Sequence, residues 1–206
     1  MTDVYIEKGA KRVFACAFDW PGWCRAGKDE AAALEALASS AARYAVIAKQ
    51  AKVPFDAAAA AKVSVKERLP GSMTTDFGAP GAIPKSDAGD LTAGAAARQA
   101  SLVEASWTVF ERVLEKAPAS LRKGPRGGGR DRDKIVAHVA DAEDAYARKI
   151  GVREKDLAAR RRAMLDAISG ASSVETPEQG WPIRYAARRI AWHVIDHAWE
   201  IEDRSQ

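Results

Sequence analysis

Cysteine and histidine are scarce in this chain, at two and three of 206 residues. Cys16 and Cys24 are too few for a disulfide framework or a four-cysteine metal site. No stretch approaches the ~18 consecutive apolar residues of a membrane span. The opening Met1-Thr-Asp-Val-Tyr-Ile-Glu-Lys lacks the apolar core of a secretory signal. A one-sided charge is missing too: 32 basic residues against 28 acidic leave a net +4, with a pI near 9.1. That excess is mild for a nucleic-acid binder, and no aromatics interleave the basic residues. These absences point to a cytoplasmic protein in a reducing setting, with neither a membrane nor nucleic acid as partner.

What is present is an ordinary globular composition, 47% apolar with a mean hydropathy of −0.29. It is enough to bury a sizeable core. The expected class is α+β: a small N-terminal α+β unit over residues 1–78, a linker over 79–94, and an up-down four-helix bundle over 95–206. In the first part, residues 3–8 and 11–18 read as strands joined at Gly9-Ala10. Phe14, Cys16 and Phe18 alternate with Val13, Ala15 and Ala17, so both faces are apolar and buried. Residues 29–50 have helical spacing. Val63, Val65 and Thr74–Phe77 suggest a second hairpin turning at Pro70-Gly71. The stretch 79–94 holds Pro80, Pro84 and several glycines without an apolar period. Beyond it, the windows 95–116, 131–150, 154–169 and 182–203 each carry an apolar helical stripe.

The three histidines are the most informative residues. His193 and His197 are spaced i, i+4 on the last helix, beside Ile190, Val194 and Ala198. Both rings therefore project from one face, a turn apart. His138 lies between Ile135 and Val139 on the second long helix. Three imidazoles aimed at an apolar interior are costly unless partnered. A single divalent metal satisfies one nitrogen of each, and three protein ligands leave a coordination position open. The competing reading is three separate histidines, each hydrogen-bonded locally.

With these residues in view, residues 95–206 resemble the DinB-like (YfiT/DinB) superfamily of bacterial four-helix-bundle metalloproteins. The resemblance rests on Asp133-Lys-Ile-Val-Ala-His138-Val-Ala-Asp141 and Trp192-His193-Val-Ile-Asp-His197-Ala-Trp-Glu200. It implies a metal held by His138, His193 and His197. It also implies a thiol-dependent transferase or isomerase whose partners are a small-molecule thiol, such as mycothiol, and an electrophile. Zinc, nickel and iron all suit such a donor set. The alternative function is a non-enzymatic stress-related or partner-binding protein with a structural metal. Residues 3–45 more faintly resemble the strand-strand-helix unit of HicB-like antitoxins, through Val13–Phe18, Asp19-Trp20-Pro21-Gly22 and the helix opening after Gly27. No helix-turn-helix follows, so an accessory or homodimer-forming module is implied rather than DNA binding.

Around the metal, Asp141 and Glu200 each lie one turn after a histidine, as acceptors for a ring N–H or as proton-handling groups. The loop Arg122–Lys134 has six basic and two acidic residues, an excess equal to that of the whole chain. Its Arg126, Arg130 and Arg132 are candidates for binding an anionic part of a substrate. No Ser/His/Asp or Cys/His triad is legible. Cys16 reads as core, and Cys24, after a Pro-Gly turn among polar groups, has a setting that allows exposure.

Overall fold

The computed structural model describes residues 1–89, 91–124, 128–170 and 177–205, and within them the chain is α+β. Strands β1 (Thr2–Lys8), β2 (Val13–Ala17), β3 (Cys24–Gly27) and β4 (Val63–Pro70) form one mixed sheet in the order β3-β2-β1-β4. The β1–β2 and β2–β3 pairs are antiparallel, and β1–β4 is parallel. The alternation in β2 divides the faces as its sequence indicates. Val13, Ala15 and Ala17 join the main core, while Phe14 and Cys16 face a second cluster with Tyr5, Cys24 and Trp192.

Two sequence expectations need correction in this part. The hairpin expected over Val63–Phe77 does not form: β4 runs on to Pro70, and Thr74–Phe77 falls in a short helix, α4 (Met73–Phe77), after the four-residue α3 (Ala57–Ala60). Ser72 and Thr75 close a reciprocal cap around the start of α4, a local hydrogen-bond pattern that outweighs the β tendency of threonine. Residues 29–50 form two helices, α1 (Glu30–Ser39) and α2 (Ala41–Gln50), bent by 50°. No Gly or Pro marks the break. Ser40 Oγ donates to the Leu37 carbonyl at 2.7 Å and accepts Trp23 Nε1–H at 2.9 Å, so a tertiary contact sets the bend.

The stretch 79–89 is tied to the body of the protein. It contains a 3-10 turn, Lys85–Ala88, whose Asp87 is 4% exposed and ion-pairs with buried Arg188. Pro80 and Pro84 are buried as well.

Four longer helices follow: α5 (Ala93–Lys116), α6 (Arg132–Lys149), α7 (Leu157–Ser169) and α8 (Ile183–Arg204). Side-chain caps open two of them. Thr92 Oγ1 accepts from Ala95 N, and Asp156 Oδ1 accepts from Ala159 N, each contributing about 1 kcal/mol. α7 ends at Gly170, whose φ of 76° is in the left-handed region that glycine tolerates. α8 packs on α5, α6 and α7, and α5 also meets α2. One apolar core thus runs from Val4, Ile6 and Tyr44 to Val103, Ile135, Met164 and Ile190. Gly22, at φ +87°, lets the β2–β3 connection approach α8, because a Cβ there would lie 2.4 Å from Ile195 Cδ1. Among the described residues, no single helix is long and apolar enough to cross a membrane.

Candidate metal centre

The site is built where α6 faces α8. On α6, Ile135 and Val139 are buried, and this anchors the turn that carries His138 inward. On α8, Ile190, Val194 and Ala198 are buried and orient His193 and His197 in the same way. One ring nitrogen from each of the three histidines lies within 4.8 Å of the others. Nε2 of His138 and Nε2 of His193 are 3.2 Å apart. Two nitrogens bound at ~2.0–2.1 Å to one tetrahedral ion would be about 3.3 Å apart. Ring centroids are separated by 4.7 to 5.0 Å.

The surroundings of His193 and His138 favour the neutral imidazole, the form that binds a metal. Burial, reinforced by His197 and Arg189, pushes His193 down to about 2. His138 is also lowered, by burial first and then by His197 and Arg130. Nδ1 of His197 is 2.8 Å from Glu200 Oε2. A carboxylate only accepts, so this contact assigns Nδ1–H to His197 and leaves its Nε2 lone pair free. Glu200 also accepts from Arg204 at 2.6 Å, and the His197 hydrogen bond is the first cause holding its carboxyl below the ordinary range. Nδ1 of His193 is buried without a hydrogen-bond partner.

The donor set fits a divalent metal. Three imidazoles of borderline softness converge, one already carries the carboxylate contact typical of metal-ligating histidines, and two unlike-helix Nε2 atoms meet at near-coordination spacing.

Asp141, the other carboxylate expected here, is exposed, and its carboxylate makes no hydrogen bond among the described residues. Its charge acts on His138, opposing the lowering of that ring's pKa. Of the three loop arginines, Arg126 lies outside the described residues. Arg130 is exposed and near enough for its charge to lower both His138 and His193. Arg132 is engaged elsewhere, donating to the Ala117 carbonyl and to Asp133.

Two aromatic rings border the centre. Tyr146 lies 5.6 Å and Trp192 6.2 Å from the His193 ring. Trp199 does not join them, since the guanidinium groups of Arg25 and Arg43 lie against its ring. In the sequence Arg189, one turn before His193, stands with Arg184 and Arg188 on what reads mostly as a polar helix face, from which one arginine could reach a substrate carboxylate. The Arg189 guanidinium lies over both Tyr146 and Trp192, and its Nη1 is buried without a hydrogen-bond partner. The signal that singles it out is the i, i+4 spacing from Arg189 to His193, hidden among several arginines at the start of α8.

Comparison with protein-family models, with curated proteins and with solved structures returns no match for this chain.

Proposed function

We propose that the protein is a metal-dependent enzyme of DinB-like type, a thiol S-transferase or thiol-dependent isomerase, in which α5 to α8 make up the four-helix bundle. The observation that carries this reading is the convergence of His138, His193 and His197, the only histidines in the chain, on one point between two helices. They would hold one divalent ion, zinc, nickel or iron, with a position left for substrate. When bound, that ion supplies Lewis acidity and keeps a low-molecular-weight thiol, of which mycothiol is one candidate, in its thiolate form.

The other residues take roles that follow from their positions. Glu200 fixes the tautomer and orientation of His197. Tyr146 and Trp192 supply an apolar wall suited to an electrophile of low polarity. Arg189 and Arg130 add positive charge beside the imidazoles, which favours an anionic group on the thiol or the electrophile. Asp141, exposed and one turn after His138, would be the group that passes the thiol proton to water.

The test is a Co²⁺-substituted protein titrated with mycothiol, bacillithiol and glutathione. A new sulfur-to-metal band, lost in His193→Ala while helical circular dichroism persists, supports the enzyme reading. An unchanged spectrum with all three thiols, together with unfolding on metal removal, assigns the metal a structural role instead.

A further inference from the structure

The two cysteines belong to neither the metal centre nor its surroundings as described above, yet they are placed together. Cys16 on β2 and Cys24 on β3 are directly opposite in the antiparallel register. The amide of Ala17 donates to the Trp23 carbonyl at 3.0 Å. The 17–23 pair is therefore hydrogen-bonded, and 16–24 is the non-hydrogen-bonded pair next to it. In such pairs the Cα atoms are ~4.5 Å apart and the side chains are closest, which falls within the range a disulfide can bridge. The two Sγ atoms lie 2.6 Å apart, and both residues are free thiols.

Contrary to the exposed setting its neighbours allow, Cys24 is 5% accessible and Cys16 2%. Tyr5, Phe14 and Trp192 cover the pair. Beside it is a cavity of about 10 Å³ lined by Tyr5, Cys16, Cys24, Tyr185, Arg188 and Trp192, close to the lower limit for a guest the size of water. A bulky disulfide has no room beside these thiols, and a peroxide, small but larger than water, reaches them as the lining side chains give way.

We propose that Cys16 and Cys24 form a redox-modification site, a dithiol that hydrogen peroxide converts to an intrachain cross-strand disulfide. Cys24, the more accessible thiol, gives up its proton, and its sulfur attacks one peroxide oxygen. The O–O bond breaks, a sulfenic acid forms and one water leaves. The Cys16 sulfur then attacks the sulfenic sulfur, an S–S bond forms and the second water leaves. Two thiols thus lose two electrons and two protons, and one peroxide is reduced to two waters. Burial holds the Cys24 thiol well above its ordinary pKa, so the first step is slow compared with that of an exposed thiolate.

Both cysteines lie in one tryptic peptide, Val13–Arg25, which makes the test direct. The full-length protein is incubated with hydrogen peroxide, quenched in acid, alkylated with N-ethylmaleimide under denaturing conditions and digested without reduction. The expected product is peptide 13–25 lighter by two hydrogens and unalkylated, restored to the doubly alkylated form by dithiothreitol. Full double alkylation after peroxide would overturn the proposal. So would a disulfide-linked dimer, or sulfinic and sulfonic acids without the lighter peptide.

Discussion

Nε2 of His138 and Nε2 of His193 face each other across 3.2 Å, although 55 positions separate the two residues in the chain. Both rings have pKa values lowered mainly by burial. A buried and a half-buried imidazole in such contact cannot both be protonated, and with no ion between them one must donate to the other. A divalent ion bound there would replace that single weak bond with two ligand bonds. Each expectation below follows from this contact or from the groups around it.

In chelator-treated protein, stability should fall as the pH drops below the ordinary histidine value near 6.5. His193 in the folded state stays neutral down to about 2. The unfolded chain therefore binds protons that the folded chain refuses, and stability is greatest above 6.5 and declines below it. The slope is about 1.4 kcal/mol per pH unit for each such group. Denaturant titrations between pH 7.5 and 5.5 measure it. A His193→Gln variant should show a shallower slope, and an identical slope would contradict the assignment.

Glu200→Gln should weaken metal binding by ~10–100-fold, the usual effect of losing a carboxylate partner of a ligating histidine. Helical circular dichroism should be unchanged. Asp141→Asn, which removes a charge but no hydrogen bond, should alter metal affinity much less. Equal effects in a competition assay with a chromogenic chelator would remove the distinction drawn between the two carboxylates.

Arg188→Ala should destabilise the fold by about 3–5 kcal/mol, because it leaves Asp87 buried without its cation. Burial already raises the Asp87 carboxyl above its ordinary range. The Arg188→Leu, Asp87→Leu double variant should recover much of the loss. A loss below 1 kcal/mol in Arg188→Ala would mean that residues 79–89 are not held through this pair.

Arg189→Gln should weaken binding of a carboxylate-bearing thiol such as mercaptoacetate to the Co²⁺ protein by about tenfold, leaving 2-mercaptoethanol nearly unaffected. The guanidinium lies over Tyr146 and Trp192, and its buried Nη1 has no hydrogen-bond partner among the described residues, so charge is its main contribution to a bound anion. Equal losses for both thiols would assign Arg189 to packing.

The long helices were legible because their stripes extend over three or more turns, and α5 and α7 open on capping residues, Thr92 and Asp156. The histidine cluster was legible for the same reason: i, i+4 spacing and apolar neighbours fix a direction on a helix. What escaped the sequence depends on contacts remote in the chain. The break at Ser40 needs Trp23, and the parallel seat of β4 needs β1. The weak 3-10 turn around Asp87 needs Arg188, 101 positions away. The burial of Cys24 needs Trp192 from α8. Composition and periodicity carry no trace of such pairings.

Metal content is the most direct measurement of the central claim. The protein, made without a histidine tag and purified without chelators, is assayed by elemental analysis beside His138→Ala, His193→Ala and His197→Ala. The expected result is one divalent ion per chain in the parent protein and a fraction of that in each variant, with helical content retained. Trace metal in the parent, or metal content unchanged in His193→Ala, would contradict the three-histidine centre.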